Sequence, residues 1–382
     1  MPDLLRQEIA AASPLWVVKV GTRVLTGPDG LLNQDRIAAL CEELHQVIES
    51  GRKVVLVSSG AVGAGMGQLG LTKRPRDLPH LQAVAAVGQT NLVEAYDREL
   101  RRHGRHGAQI LLVADDLDHR TRYLNIRNTI LTLLEYNAVP IINENDTVSV
   151  DELKTTFGDN DRLAAMVTNL IRAPLLVLLS DVAGLYNGDP HDPAAELIPT
   201  VTRLDDSILA LVRDRTTGLS KGGMASKLEA ARIATAAGEN VIVASGREPG
   251  TLAAIMNGDM VGTLFTAQGQ TIPSWKRWIG FTAQPRGHLV VDEGARRAVE
   301  AQGRSLLAIG ILDCGGAFKK GDLVSLRDQQ GSEFARGLSN YSAEDIQRIK
   351  GQKTEQIGAI VGARGYDEVI HRDNMTVTTR RD

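Results

Sequence analysis

The feature that most constrains this chain is an alternation. As far as about residue 266, short runs rich in Val, Ile and Leu take turns with longer segments whose apolar residues recur at helical spacing. The runs are Leu15 to Val20, Lys53 to Val57, Ala108 to Val113, Val139 to Ile142, Leu175 to Leu179 and Asn240 to Ala244, each bounded by Gly, Pro or polar residues. Near-continuous apolar character marks a strand covered on both faces. The intervening segments, such as Asp35 to Glu49, Leu81 to Arg102, Arg120 to Tyr136, Asp161 to Ile171 and Met224 to Ala237, read as helices. Strand and helix in succession imply βα units around a mainly parallel sheet, a three-layer α/β/α sandwich. Ligands of such sheets sit outside the carboxyl ends of the strands, so the residues that follow each run are the candidates for function.

From Gln268 to Gly287 the alternation gives way to Thr271-Ile272-Pro273-Ser274-Trp275 and Pro285-Arg286-Gly287. Beyond it, short strand-like runs are separated by glycine turns such as Cys314-Gly315-Gly316, Lys320-Gly321-Asp322 and Gln330-Gly331-Ser332, the pattern of a small β-rich module. The expected organisation is therefore a first domain over 1–270, a linker over 271–285 and a second domain over 286–382.

Composition removes several classes. Hydrophobic residues make up 43% and charged residues 23%, and no run approaches the roughly 18 apolar residues of a membrane span. The first residues lack the basic start and apolar stretch of a secretory signal, so a cytoplasmic location is expected. Cys41 and Cys314 stand apart with no Cys or His beside them, which suggests buried small hydrophobes and neither a disulfide nor a zinc site. The formal net charge of -3 offers no general attraction for nucleic acid.

The strand ends are unusually polar. The first delivers Lys19-Val20-Gly21. A lysine within an apolar strand either snorkels to the surface or meets an anion, and the glycine lets backbone amides approach that anion. The second runs into Ser58-Ser59-Gly60-Ala61, a strand-to-glycine-to-helix passage suited to a phosphate or carboxylate. Gly65-x-Gly67-x-x-Gly70 formally matches a dinucleotide fingerprint, but it starts too far after the strand and lacks the later acidic residue. The fourth strand leads to Asn143-Glu144-Asn145-Asp146, then an expected hairpin through Val150 to Phe157, then Gly158-Asp159-Asn160-Asp161. These clusters could hold a metal, or the charged ends of an amino acid; one aspartate of the second is expected to cap a helix beginning near Arg162. The fifth strand ends in Ser180-Asp181. Further on, Ser220-Lys221-Gly222-Gly223-Met224-Ala225-Ser226-Lys227 feeds a helix expected to hold Lys227 in its first turn, where a cation opposes the helix dipole unless an anion is near. No P-loop, Gly-x-Ser-x-Gly or His-Glu-x-x-His motif occurs. His371-Arg372-Asp373-Asn374 resembles a protein-kinase catalytic loop but has no Asp-Phe-Gly after it.

Taken in order, Lys19 to Gly21, Ser58 to Ala61, Ile142 to Asp146, Gly158 to Asp161, Asp181 to Tyr186 and Gly222 to Met224 with Lys227 resemble the amino acid kinase superfamily, and within it the glutamate 5-kinases. The tail, from Arg286 through Gly303-Arg304-Ser305-Leu306-Leu307 to Asn340-Tyr341, is similar to a PUA domain. The resemblance implies ATP with Mg²⁺ and an amino-acid acceptor, L-glutamate. It places Ser59, Asp146 and Asn160 at substrate-binding positions, and Lys19, Ser180, Asp181, Lys221, Gly222, Gly223, Met224, Ala225, Ser226 and Lys227 at ATP-binding positions. Lys19 and Lys227 would touch the transferring phosphoryl group, with Asp161 orienting both. No side chain is assigned to direct metal ligation. A homo-oligomer, dimer or tetramer, and feedback inhibition by proline through Val148 to Phe157 are implied as well. The superfamily's loop usually reads Gly-Thr-Gly-Gly-Met, whereas Ser220-Lys221 precedes Gly222-Gly223-Met224 here. Sister kinases acting on aspartate, N-acetylglutamate, carbamate or UMP share the phosphate machinery and are the nearest alternative. An RNA-binding role for the tail is less favoured, because residues 281–382 hold 15 Lys plus Arg against 14 Asp plus Glu.

Overall fold

The computed structural model describes residues 3–148, 160–190, 192–212, 222–268, 276, 279–280, 283–361 and 366–378. The chain divides into two compact units, Met1–Thr271 and Ile272–Asp382.

In the first unit the apolar runs become strands β1 (Leu15–Val20), β2 (Lys53–Ser58), β3 (Gly107–Leu112), β4 (Val139–Glu144), β5 (Leu175–Ser180) and β7 (Asn240–Ser245), joined by the short β6 (Thr200–Val201) and β8 (Thr263–Phe265). They form one sheet in the order β3-β4-β2-β1-β5-β7-β8-β6. From β3 to β7 every pairing is parallel, and β8 turns antiparallel to β7. The register sets Val20 beside Ser58 and Leu179, so the polar residues ending these strands share one edge of the sheet.

Side chains alternate across β1. Trp16, Val18 and Val20 enter a core with Ile37, Leu40 and Leu44 from helix Gln34–Glu49 and Leu92 and Tyr96 from helix Leu78–Arg102. Lys19 belongs to the other set and points to the opposite face, where helix Asn160–Ile171 packs. Burying a row of wholly apolar side chains on one face therefore commits the lysine to the other.

Two features depart from the sequence reading. Helix Leu4–Ala11, capped by Asp3, and the strands β6 and β8 have no periodic run long enough to announce them. They are tied together by the buried Arg6, whose guanidinium donates to the carbonyls of Pro199, Val261 and Gly262 at 2.6, 2.5 and 3.1 Å. The second departure concerns the glycines after β2. Gly60, at φ 107°, precedes helix Ala61–Gln68, and Gly65 lies inside it. Gly65 faces Gly88 of helix Leu78–Arg102: a Cβ at Gly88 would stand 1.8 Å from the Ala61 carbonyl oxygen, and one at Gly65 would stand 1.9 Å from that of Val84. The false dinucleotide fingerprint thus includes a close helix–helix contact.

The second unit is a sheet of β9 (Gly287–Val291), β10 (Ile311–Gly316), β11 (Leu323–Arg327), β12 (Glu333–Leu338) and β13 (Met375–Val377) in the order β10-β9-β11-β12-β13. Leu289, Val324, Leu326, Phe334, Ile346 and Ile370 fill its core. Cys41 and Cys314 are buried and free. Among the described residues no helix is long and apolar enough to cross a membrane.

The glycine contact makes a direct prediction. Gly88→Ala should lower the free energy of unfolding by at least about 1–3 kcal/mol, the usual cost of overpacking, because the obstacle is backbone that cannot rotate away. Urea melts of the two proteins measure it; an unchanged midpoint would contradict the contact.

Candidate functional site

The site begins with one carboxylate. Asp161 lies in the first turn of helix Asn160–Ile171 and is fully buried. Its Oδ1 is 2.5 Å from Lys19 Nζ and its Oδ2 is 2.8 Å from Lys227 Nζ. Lys19 comes from the end of β1 and Lys227 from helix Gly222–Ala236, segments remote in sequence. Both lysines are almost entirely buried, so the snorkelling alternative for Lys19 fails. Lys227 sits one turn deeper than expected, since its helix already includes Gly222, and its ammonium also donates to the Gly223 carbonyl at 3.2 Å. Ser226 Oγ donates to Asp161 Oδ2 at 3.2 Å. Asp161 is no helix cap: it is spent on the lysines, and Asp159 lies outside the described residues. Among the described residues these side chains bring two ammonium groups to one carboxylate in a poorly solvated place, where an arriving anion finds cations already in position.

Beside this cluster Asn160 organises the neighbouring strand ends. It is fully buried, and its Nδ2 lies 2.8 Å from the Ser58 carbonyl, 3.0 Å from Ser59 Oγ and 2.7 Å from Asn143 Oδ1. Among the described residues its own Oδ1 is buried without a hydrogen-bond partner. Asp146, two residues past β4, is in a similar condition, with a buried and unpartnered Oδ1. Burial, reinforced by the Glu144 carboxylate and opposed by Arg74, pushes its carboxyl up to about 7. Asp146 lines a cavity of about 270 Å³ together with Glu144, Gln89, Thr90 and Gln109. An acid held this far above its usual range by burial and a like charge is primed to receive a cation, which would restore its ionised form.

Ser180 and Asp181 occupy the end of β5, adjacent to β1. Ser180 Oγ donates to Asp181 Oδ1 at 3.2 Å, and Arg23 reaches Asp181 Oδ2 at 3.1 Å. Burial would raise the Asp181 carboxyl, but the bonds from Arg23 and Ser180 outweigh it and hold the group below its usual range. Met224 and Ala225 follow Gly223 in the first turn of the Lys227 helix. Lys221, Ser220 and the expected hairpin through Val150 to Phe157 lie outside the described residues.

Arg23, Gln89 and Gln109 belong to this region although no role is read for them in the sequence, and Asn143 stands there only as a member of the cluster Asn143 to Asp146. Gln89 had a legible signal: it interrupts the apolar stripe of Leu81, Ala85, Gly88, Leu92 and Tyr96, and a buried carboxamide needs partners. Arg23 and Gln109 offered none.

Removing the Asp161 charge should leave two buried ammonium groups facing each other. Asp161→Asn is expected to lose about 3–5 kcal/mol of stability, the cost of breaking a buried ion pair from one side. Chemical denaturation provides the measurement, and a loss below about 1 kcal/mol, the range of surface pairs, would mean the cluster is solvated.

Comparison with known proteins adds to this geometry. The family model described as the amino acid kinase family matches residues 14–245, and that of the PUA domain matches residues 287–361. A glutamate 5-kinase of Rhodopirellula baltica is 47% identical over 373 residues, which cover 98% of this chain and 96% of the relative. Glutamate 5-kinases of Syntrophotalea carbinolica and Myxococcus xanthus are 44% and 46% identical, covering 98% and 94% of this chain and 100% and 95% of the relatives. With likeness extending along nearly the whole of both chains, this chain belongs to the amino acid kinase family and, within it, to the glutamate 5-kinase group.

Proposed function

We propose that the chain transfers the γ-phosphoryl group of ATP to the γ-carboxylate of L-glutamate, giving L-glutamyl 5-phosphate and ADP, the first step of proline biosynthesis. The observation that carries this reading is the pair of buried lysines held on Asp161, next to acceptors of Asn160 and Asp146 that have no hydrogen-bond partner among the described residues. A γ-carboxylate has a pKa near 4.3, so at neutral pH the acceptor is already the nucleophile and no general base is needed. The remaining difficulty is electrostatic: two anions must be brought into line, and the charge on the bridging oxygen must be neutralised as its bond to the γ-phosphorus breaks and it departs with ADP.

In this scheme Lys19 and Lys227 contact the transferring group, and Asp161 fixes their positions. Ser59, Asn160 and Asp146 bind the amino acid, Asp146 taking its ammonium. Ser180, Asp181 and the segment from Lys221 through Gly222, Gly223, Met224, Ala225 and Ser226 to Lys227 bind ATP. Among the described residues no three His, Cys, Asp or Glu side chains gather at metal-holding spacing, and Asp161 is taken up by lysines. That donor set fits a Mg²⁺ held mainly by phosphate oxygens and water, a common arrangement for this cation. The ion would supply charge neutralisation between the β- and γ-phosphates. We further assign residues 1–270 to catalysis, 271–285 to a linker and 286–382 to the PUA domain. A homo-oligomer, dimer or tetramer, in the cytoplasm and inhibited by proline completes the reading.

The test is ATP turnover with glutamate, with and without proline, trapping the acyl phosphate with hydroxylamine. Aspartate, N-acetylglutamate, carbamate and UMP serve as competing acceptors. Turnover with one of those and not with glutamate would replace the substrate. Lys19→Ala and Lys227→Ala are each expected to cut turnover by about two orders of magnitude or more, the typical loss for one preorganised charge contact; near-normal rates would remove that lysine from the reaction. Asp146→Ala should raise the glutamate KM more than the ATP KM. In the wild type, glutamate KM should fall as pH rises through about 7, because only ionised Asp146 pairs with the ammonium. A pH-independent glutamate KM would dissociate Asp146 from that group.

A further inference from the structure

A row of carboxamides connects the cavity beside Asp146 with the helix that bears Asp161. Gln109 of β3 accepts from Gln89 Nε2 at 3.4 Å, Gln89 Oε1 accepts from Asn143 Nδ2 at 2.8 Å, and Asn143 Oδ1 accepts from Asn160 Nδ2 at 2.7 Å. The backbone amide of Glu144 also donates to Asn143 Oδ1, at 2.9 Å. Gln89 and Gln109 both line the cavity, while Asn143 and Asn160 are fully enclosed.

Each carboxamide has one donating and one accepting end, so the row has a direction. Gln89 offers an acceptor, and the NH₂ of Asn143 turns towards it. The Asn143 oxygen then faces Asn160, whose NH₂ is drawn to it and to Ser59. What remains is Asn160 Oδ1, buried and without a hydrogen-bond partner among the described residues. An unpaired buried acceptor costs about 1–3 kcal/mol, and a carboxamide free to turn over would relieve that cost. Asn160 does not turn, because its NH₂ has three acceptors around it, one of them held in place by Gln89 through Asn143.

We propose that Gln89, on helix Leu78–Arg102, is a positioning residue for the acceptor pocket: it sets the direction of the Asn143 carboxamide and thereby keeps Asn160 Oδ1 presented to a hydrogen-bond donor of the substrate. This rests on the assignment of Asn160 to the amino-acid pocket. Gln89 reaches Asn160 through Asn143 and also lines the cavity beside Asp146, so its influence falls on acceptor binding and not on ATP.

The test compares Gln89→Met, which keeps the length and removes the strong acceptor, with Gln89→Glu, which keeps the acceptor. For Gln89→Met the glutamate KM should rise about tenfold, the scale of one unmade buried hydrogen bond, with the ATP KM and the urea midpoint little changed. Gln89→Glu should restore the glutamate KM to within about threefold of wild type, since it keeps that one bond. An unchanged glutamate KM in Gln89→Met, a parallel rise in both KM values, or equal damage in Gln89→Glu would overturn the proposal. If Gln89→Met does not fold, Gln89→Leu takes its place, because it also removes the acceptor without bringing a charge to Asp146 in the same cavity wall; it should show the same glutamate defect. A measurement independent of activity is hydrogen exchange of the Asn160 carboxamide, read by NMR on protein labelled with ¹⁵N-asparagine. Its protons should be protected in wild type and in Gln89→Glu, and should exchange at least about tenfold faster in Gln89→Met. Should wild type fail to phosphorylate glutamate, the proposed reaction falls, while the exchange rates still decide whether Gln89 positions Asn160.

Discussion

The site depends on one carboxylate taken by two lysines. Asp161 has no exposure to solvent, and an isolated charge in such a place is costly enough that it would normally be neutralised. Lys19 and Lys227 compensate it from opposite oxygens. Among the described residues the arrangement sets two ammonium groups on one carboxylate, and ammonium groups held in a poorly solvated place are what a phosphate can meet. It also fixes geometry: lysine side chains are flexible, and anchoring both ammonium groups on one rigid carboxylate at the start of a helix removes much of the freedom they would otherwise lose on binding.

Around this centre the parallel sheet does the assembling. Since β1, β2, β4 and β5 run the same way and in register, whatever follows each of them arrives at the same edge. Two kinds of feature collect there: the buried ion cluster on the Asp161 side and, among the described residues, acceptors of Asn160 and Asp146 without a hydrogen-bond partner near the β4 end. Such acceptors lower stability in the absence of a ligand, which is common where binding has shaped the structure more than folding has. In the proposed reaction the first receives the triphosphate and the second the amino acid, so one sheet edge brings two anions together without a proton relay between them.

Much of this was legible in the chain. Continuous apolar runs gave the six longer strands of the first unit to within a residue or two; five are buried along most of their length, while β3, at the edge of the sheet, is only half-buried and carries the exposed Gln109. Lys19 stood out because a charge in such a run needs a partner. Lys227 stood out as a cation near a helix start after a glycine turn, whereas the role of Asp161 was legible only through the order of motifs along the chain. The strands β6 and β8 and helix Leu4–Ala11 were not legible, as each is too short for periodicity and is secured by Arg6 and distant carbonyls. Glycines after β2 suggested a phosphate loop, yet Gly65 serves the contact with Gly88, a distinction that local sequence does not make.

Local pattern therefore determined the secondary structure, the α/β class and the chemical types available at the strand ends, since these follow from burial and from alternation within one segment. Tertiary structure alone decided which oxygen of Asp161 meets which lysine, which way the carboxamides of Gln89, Asn143 and Asn160 turn, and why the Asp146 carboxyl is pushed towards neutrality. Each of those depends on distances between segments far apart in the chain, and electrostatic and hydrogen-bond energies change steeply over fractions of an ångström that no linear spacing specifies.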